Sequence, residues 1–250
     1  MSKSWFAYVA SFFVLIAAVL VGVTVGSVSI PVQVLWNPDM DEAASNILWN
    51  IRMPRVVLAG LVGASLAIAG AAFQGLLKNP LADPYTLGVS SGASVGAVVT
   101  LFFGISVPFL GLFTLPVFSM LGAFLTMVTV MSFAKLIDRA MKMETIILTG
   151  IIFSSFLGSV ISLMISLSGE ELRQIIGWLL GSVSMRGWPY VTMALPFMTI
   201  GFLLLWLNRR ELNALVFGEE RAKHLGVNVK RRKMMILTGG SILTGAAVSV

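Results

Sequence analysis

Cysteine is absent from the 250 residues, so neither a disulfide framework nor a thiolate metal site can form. The single histidine, His224, stands among charged residues; no histidine cluster exists, and no metal site is expected. Charge is scarce as well: 11% of residues are charged against 57% hydrophobic. A soluble domain of this size needs many more charges to face water, so the excess apolar surface must face lipid. The phosphate-cradling pattern GxxxxGK[ST] occurs nowhere, so ATP is not bound by that route and ATP-driven work would belong to a separate subunit. A net charge of +6 would suggest nucleic acid in a soluble protein. Here the basic residues are confined to short stretches between apolar runs, which is a topology signal, and no nucleic-acid partner is expected.

What is present is a series of long apolar runs. The first, 5–25, is too long for the core of a signal peptide and lacks a small-residue cleavage site. A membrane-spanning helix needs roughly 20 apolar residues. Further runs of about that length fall at 56–77, 87–103, 112–133, 145–167, 191–207 and 234–250, giving seven predicted membrane helices. The stretch 172–180 is too short to span. Its Leu172, Ile175, Ile176 and Leu179 share one helical face, so it is expected to lie along the membrane surface near Trp178 and Trp188. The fold class is therefore an all-α, polytopic transmembrane helix bundle, read as one transmembrane domain over 1–250.

Lysine and arginine set the orientation. With the N-terminus in the cytoplasm, Lys3, Lys78, Lys135, Arg139, Lys142 and the cluster from Arg209 to Lys233 fall inside. Only Arg52, Arg55, Arg173 and Arg186, four of the 17 basic residues, fall outside. The chain reads as a multi-pass protein of the cell membrane with a cytoplasmic N-terminus.

Small residues recur at helical spacing. Gly88, Gly92 and Gly96 form one stripe and Gly60, Ala64, Ala67 and Ala71 another, both read as packing surfaces. Gly92-Ala93-Ser94-Val95-Gly96 fits the GxSxG nucleophile pattern, but it lies in an apolar helix without a histidine base, so no catalytic residue is expected. The predicted spans are nearly free of ionisable residues. This argues against a proton- or sodium-coupled transporter, since such residues mark ion pathways.

Four loops stand out. Ile51-Arg52-Met53-Pro54-Arg55 puts two arginines at the outer mouth of the second helix, with Pro54 expected at the helix start, where its missing N–H is harmless. Positive charge is disfavoured on that side, so Arg52 and Arg55 point to an acidic docking partner. Lys78-Asn79-Pro80-Leu81-Ala82-Asp83-Pro84 is a tight inner loop stiffened by two prolines. Leu172-Arg173-Gln174 leads into the surface helix. Residues 208–233 form the longest inner loop, read as two short helices around Gly218 with a stop at Gly226. Leu212, Leu215, Ala222 and Leu225 give it a small apolar face among charges, a partner surface.

Together these segments resemble the FecCD/BtuC-like family of ABC-importer permeases. The carrying residues are IRMPR at 51–55, GASLAIAGAAFQGLLKNPLADPYTLGVSSGASVG at 63–96, LRQIIGWLLGSVSMRGW at 172–188 and LNALVFGEERAKHLGV at 212–227. The resemblance implies a type II importer permease, ordinarily of ten helices. It works as a homodimer, or a closely related heterodimer, on two ATP-binding-cassette ATPase subunits. An extracytoplasmic binding protein delivers an iron chelate, haem or cobalamin. It implies that Arg52 and Arg55 dock the binding protein and that Asn79 and Leu81 form a cytoplasmic gate. It places Glu219, Glu220, Ala222, Leu225 and Gly226 in the ATPase-coupling region, and no cofactor is bound directly because the partner ATPase uses the ATP. Two departures stand out. The second gate segment, often small and hydroxylated in relatives, reads Met143-Glu144-Thr145 and is left unassigned. The chain also stops within an apolar run, without the family's last helices, so Gly239, Gly240, Gly245 and Ala246 are expected to lack partners within it. A non-transporting truncated remnant and a secondary transporter are the alternative readings.

Overall fold

The computed structural model describes residues 2–26, 28 and 30–250; the side chains of residues 2–4, Lys3 among them, and of residues 32, 35 and 38 lie outside the description. Regular structure among the described residues is entirely helical, and each of the seven apolar runs forms a helix. Five helical stretches are long and apolar enough to cross a membrane: Trp5–Thr24, Glu42–Leu77, Gly111–Ile137, Met143–Leu167 and Trp188–Leu207. Two compact units are distinguished, Met1–Gly60 with Val183–Thr192, and Leu61–Ser182 with Met193–Val250.

In the first unit, α1 (Ser2–Thr24) exposes apolar side chains along most of its length, as a lipid-facing helix must. Two short 3₁₀ turns follow, then α2 (Glu42–Asn46), whose first turn is capped by the Asp41 carboxylate accepting from Ala44 N–H at 3.0 Å. Val23, Ile30, Val34, Ala44 and Leu48 make a small core around these turns.

A wide π-helical turn, Ile47–Arg52, then runs straight into α3 (Met53–Leu77). Pro54 therefore sits within a helical run that begins at Glu42, not at a helix start. A proline there removes one backbone donor and crowds the preceding turn, and the widened turn accommodates it. The Trp49 carbonyl, left open one wide turn before Pro54, accepts a hydrogen bond from the Trp188 indole N–H at 2.8 Å.

The second unit is a close-packed bundle of α4 (Val89–Phe102), α5 (Thr114–Ile137), α6 (Met143–Leu167) and α11 (Val229–Val248), with the later part of α3 and of α8 (Trp188–Leu207). The amphipathic α7 (Leu172–Leu179) seals Ile175 completely, although Ile176, assigned to the same face, stays exposed. Glycine sets the helix separations. Gly92 and Gly96 lie against the backbones of Gly122 and Phe118 on α5, where even a methyl group would collide. The second small-residue stripe differs: Gly60 has open space around it, and Ala64, Ala67 and Ala71 are exposed.

The small residues of α11 do have partners. Gly239 meets Gly201 and Leu204 of α8, Gly240 receives the Phe73 ring, and Gly245 lies 3.1 Å, as a built Cβ, from Ala123. The expectation that they face absent helices is corrected: glycine lets α3, α5 and α8 close directly onto α11. An apolar hollow of about 430 Å³ lies between α5, α8 and α11, and Ser241 is its single polar lining residue.

Candidate functional site

The loop 78–88 is built by its own side chains. Lys78 leaves α3 with a left-handed φ of 52°, and the Asn79 side-chain oxygen accepts from Leu81 N–H at 2.9 Å. Asp83 repeats the device, accepting from Tyr85 N–H at 2.9 Å and Thr86 N–H at 2.8 Å. The two prolines thus restrict a loop that two side-chain turns already close. Ala82 is buried, while Leu81 projects outward, 85% exposed. Gly88 then opens α4 in the left-handed region, at φ 76°. Gly150 of α6 lies so close to Thr86 and Leu87 that a side chain there would displace the loop.

The next loop, 138–142, is tied by Asp138. Its carboxylate accepts from Lys142 N–H at 3.0 Å and Ala140 N–H at 2.9 Å, and these bonds hold its pKa below the ordinary carboxylate value. It leads into α6, whose first turn carries Met143 and Glu144.

Residues 208–227 form the two short helices expected, α9 (Arg209–Val216) and α10 (Glu219–His224). Gly218 at φ 122° separates them and Gly226 at φ 80° ends the second. They are anchored to the base of α11. Arg232 bonds the buried Asn208 side-chain oxygen at 2.9 Å and pairs with Glu211 at 3.1 Å. Lys233, 3% exposed, pairs with Glu219 at 2.7 Å. Sequence reasoning missed Asn208, Arg232 and Lys233, because partners 14 to 24 residues apart share no helical period.

The apolar face divides in two. Ala222 is 0% and Leu215 2% exposed, so the side of α10 carrying Ala222 faces this chain and not a partner. Leu212 packs 3.6 Å from a Cβ built on Gly75. Outward lie Phe217 at 70% and Leu225 at 73%, and to a lesser extent Val216, among Glu220, Arg221, Lys223 and His224. The Glu220–Lys223 pair at 2.6 Å is exposed; its hydrogen bond lowers the carboxyl pKa and raises the ammonium's.

In the first unit, Arg52 does not face outward. It is 7% exposed, and its guanidinium donates to the carbonyls of Val23 at 3.0 Å, Thr24 at 2.7 Å and, closer still, Val28. These carbonyls lie at and just beyond the end of α1, where helical N–H partners run out; Arg52 closes that end, together with the Ile30 N–H, which donates to the Thr24 carbonyl at 3.3 Å. Arg55 is half-buried. Ser94 lies in the middle of α4, flanked by the two glycines that touch α5, so the GxSxG spelling records packing.

A family profile, the FecCD transport family, matches residues 14–250. The chain belongs to the FecCD transport family. Among FecCD relatives, an uncharacterized ABC transporter permease protein, YvrB of Bacillus subtilis, is 56% identical over 98% of this chain and 72% of its own length. The cobalamin import system permease protein BtuC of Halobacterium salinarum is 40% identical over 83% of the chain and 55% of its own length. The hemin transport system permease protein HmuU of Yersinia pestis is 35% identical over 94% and 71%. A solved structure described as an inward-facing conformation of a metal-chelate type ABC transporter superposes with a TM-score of 0.81 at 29% identity, over 99% of this chain and 76% of that one. The chain thus spans between about half and three quarters of the length of these FecCD relatives.

Proposed function

We propose that the chain is the membrane-spanning permease subunit of an ATP-binding-cassette importer that moves an iron chelate, a ferric siderophore in the first place, or haem or cobalamin. Two copies, or two closely related chains, work with two ATPase subunits and an extracytoplasmic binding protein. The N-terminus and the end carrying Lys78, Lys142 and the 208–233 segment are cytoplasmic. The observation that carries this reading is the pair α9–α10. It presents Phe217 and Leu225 outward among charges while Lys233 and Arg232 hold it against the loop-bearing end of the bundle. An exposed apolar pair on an anchored platform suits a partner that pushes on it. Asn79 and Leu81 then act as the gate, and Glu220, Leu225 and Gly226 as the contact edge, with Glu219 and Ala222 holding α10 from within. Arg55 is the residue available for binding-protein docking, and Arg52 supports it by fixing the end of α1.

The test is uptake in proteoliposomes containing the chain, its ATPase and its binding protein, offered ferric siderophore, hemin or cobalamin in turn. Uptake that requires ATP and the binding protein is expected. Uptake by the chain alone, driven by an ion gradient, would overturn the reading in favour of a secondary transporter.

A further inference from the structure

A small hollow of about 120 Å³ at the cytoplasmic end gathers residues from four segments that the sequence keeps apart. Lys78 comes from the start of the gate loop, Glu144 from the first turn of α6, Glu219 from α10 and Lys233 from α11. Two cations and two carboxylates thus share one site. Lys233 is 3% exposed, and its single ion-pair partner among the described residues is Glu219, 2.7 Å away and itself 41% exposed. The Lys78 ammonium lies on the same side, 3.9 Å from a Cβ built on Gly218, the residue before Glu219.

A buried ammonium cannot be left without a counter-charge. If α10 is drawn away, Lys233 needs another carboxylate; Asp138 also feels its charge but is engaged by the Ala140 and Lys142 N–H groups of its own loop, which leaves Glu144, the other carboxylate lining the hollow. Glu144 opens the helix whose Gly150 lies against Thr86 and Leu87 of the gate loop. Resting on the importer reading above, we propose that Lys233 is a positioning residue that exchanges partners, from Glu219 to Glu144, and thereby passes movement of α10 to α6 and the gate loop. Lys78 receives the released Glu219, so the hollow stays neutral in both arrangements. This gives a role to Met143-Glu144, which the sequence left unassigned. It also supplies the discrete two-state element that coupling through a packed structure requires.

The chain has no cysteine, so Leu81→Cys, at an 85% exposed position, is a clean reporter of gate exposure to an impermeant maleimide. Labelling is compared with and without ATP analogue in the permease–ATPase complex, and on the permease alone in nanodiscs. Glu219→Gln leaves Lys233 to Glu144 and should shift labelling of the permease alone toward the nucleotide-bound level. Glu144→Gln should hold labelling at the resting level, weakening the nucleotide response about fivefold or more, the lower range of allosteric coupling; Glu144→Asp should restore it. In a Lys233→Met background neither substitution should change labelling. Equal labelling of Glu144→Gln and the parent in both nucleotide states, or shifts in the same direction from the two glutamines, would overturn the exchange. Failure to assemble with the ATPase would instead count against the importer reading, because the Glu219→Gln arm is read without it.

Discussion

At the scale of single residues, burial reassigns two positions singled out by sequence. Ala222 is fully buried in its own chain, so Ala222→Arg would force an unpaired charge into the packing between α10 and the bundle, a loss of about 3–5 kcal/mol. The expected result is poor yield and early aggregation in detergent, read by size-exclusion chromatography and thermal unfolding. Leu225→Arg, at an exposed position, should leave folding unchanged and abolish capture of the ATPase in pull-downs. Arg52 follows the same logic. Removing its guanidinium takes a donor from the carbonyls of Val23, Thr24 and Val28, of which Thr24 keeps only the Ile30 N–H at 3.3 Å among the described residues. Arg52→Ala should therefore lower unfolding stability by about 2–4 kcal/mol, the sum of a few charge-assisted bonds at partial additivity. Arg55→Glu should leave stability unchanged and slow association with the binding protein, most clearly at low salt. Equal destabilisation by both arginine variants would show that Arg55 too is structural.

At the scale of elements, helix existence was legible because the apolar runs are long, and the 3.6-residue period exposed the short amphipathic helix α7. Gly218 and Gly226 announced the breaks of the 208–227 segment because only glycine enters the left-handed region freely. Pro54 misled: its usual place at a helix start gave no hint of a π turn, whose stabilisation comes from an indole 139 residues away. Of the two small-residue stripes, one packs and the other is open, a distinction that spacing does not encode. That distinction is testable. Gly92→Ala intrudes on α5 and should lower stability by about 1–3 kcal/mol through overpacking. Gly63→Ala, with open space around it, should be neutral or stabilise by up to about 1 kcal/mol, since alanine is the better helix former. Chemical denaturation in a lipid-detergent mixture reads both; equal effects would mean that α4 and α5 do not pack as described.

At the scale of the whole molecule, the loops that carry Leu81 and Leu225 were readable in the sequence, but the ion pairs that anchor α9 and α10 to α11 were not. Glu219 with Lys233, and Glu211 with Arg232, are brought together by the return of α11 to the end where α3 finishes. Orientation is open to direct test, since the loops before and after α4 leave it at opposite ends. Leu81→Cys and Phe109→Cys, both strongly exposed, should label from opposite sides of intact vesicles. Phe109 should be reached from outside the cell and Leu81 only after the membrane is opened; the reverse pattern would invert the proposed topology. One further feature bears on how this chain can change over generations. Gly26 lies where a Cβ would come within 2.7 Å of the Arg52 guanidinium, so the two positions are not free to drift independently. An alanine at 26 would push the guanidinium away from the carbonyls it caps, and a short residue at 52 would remove that conflict. A change at either position therefore alters which residues the other can accept.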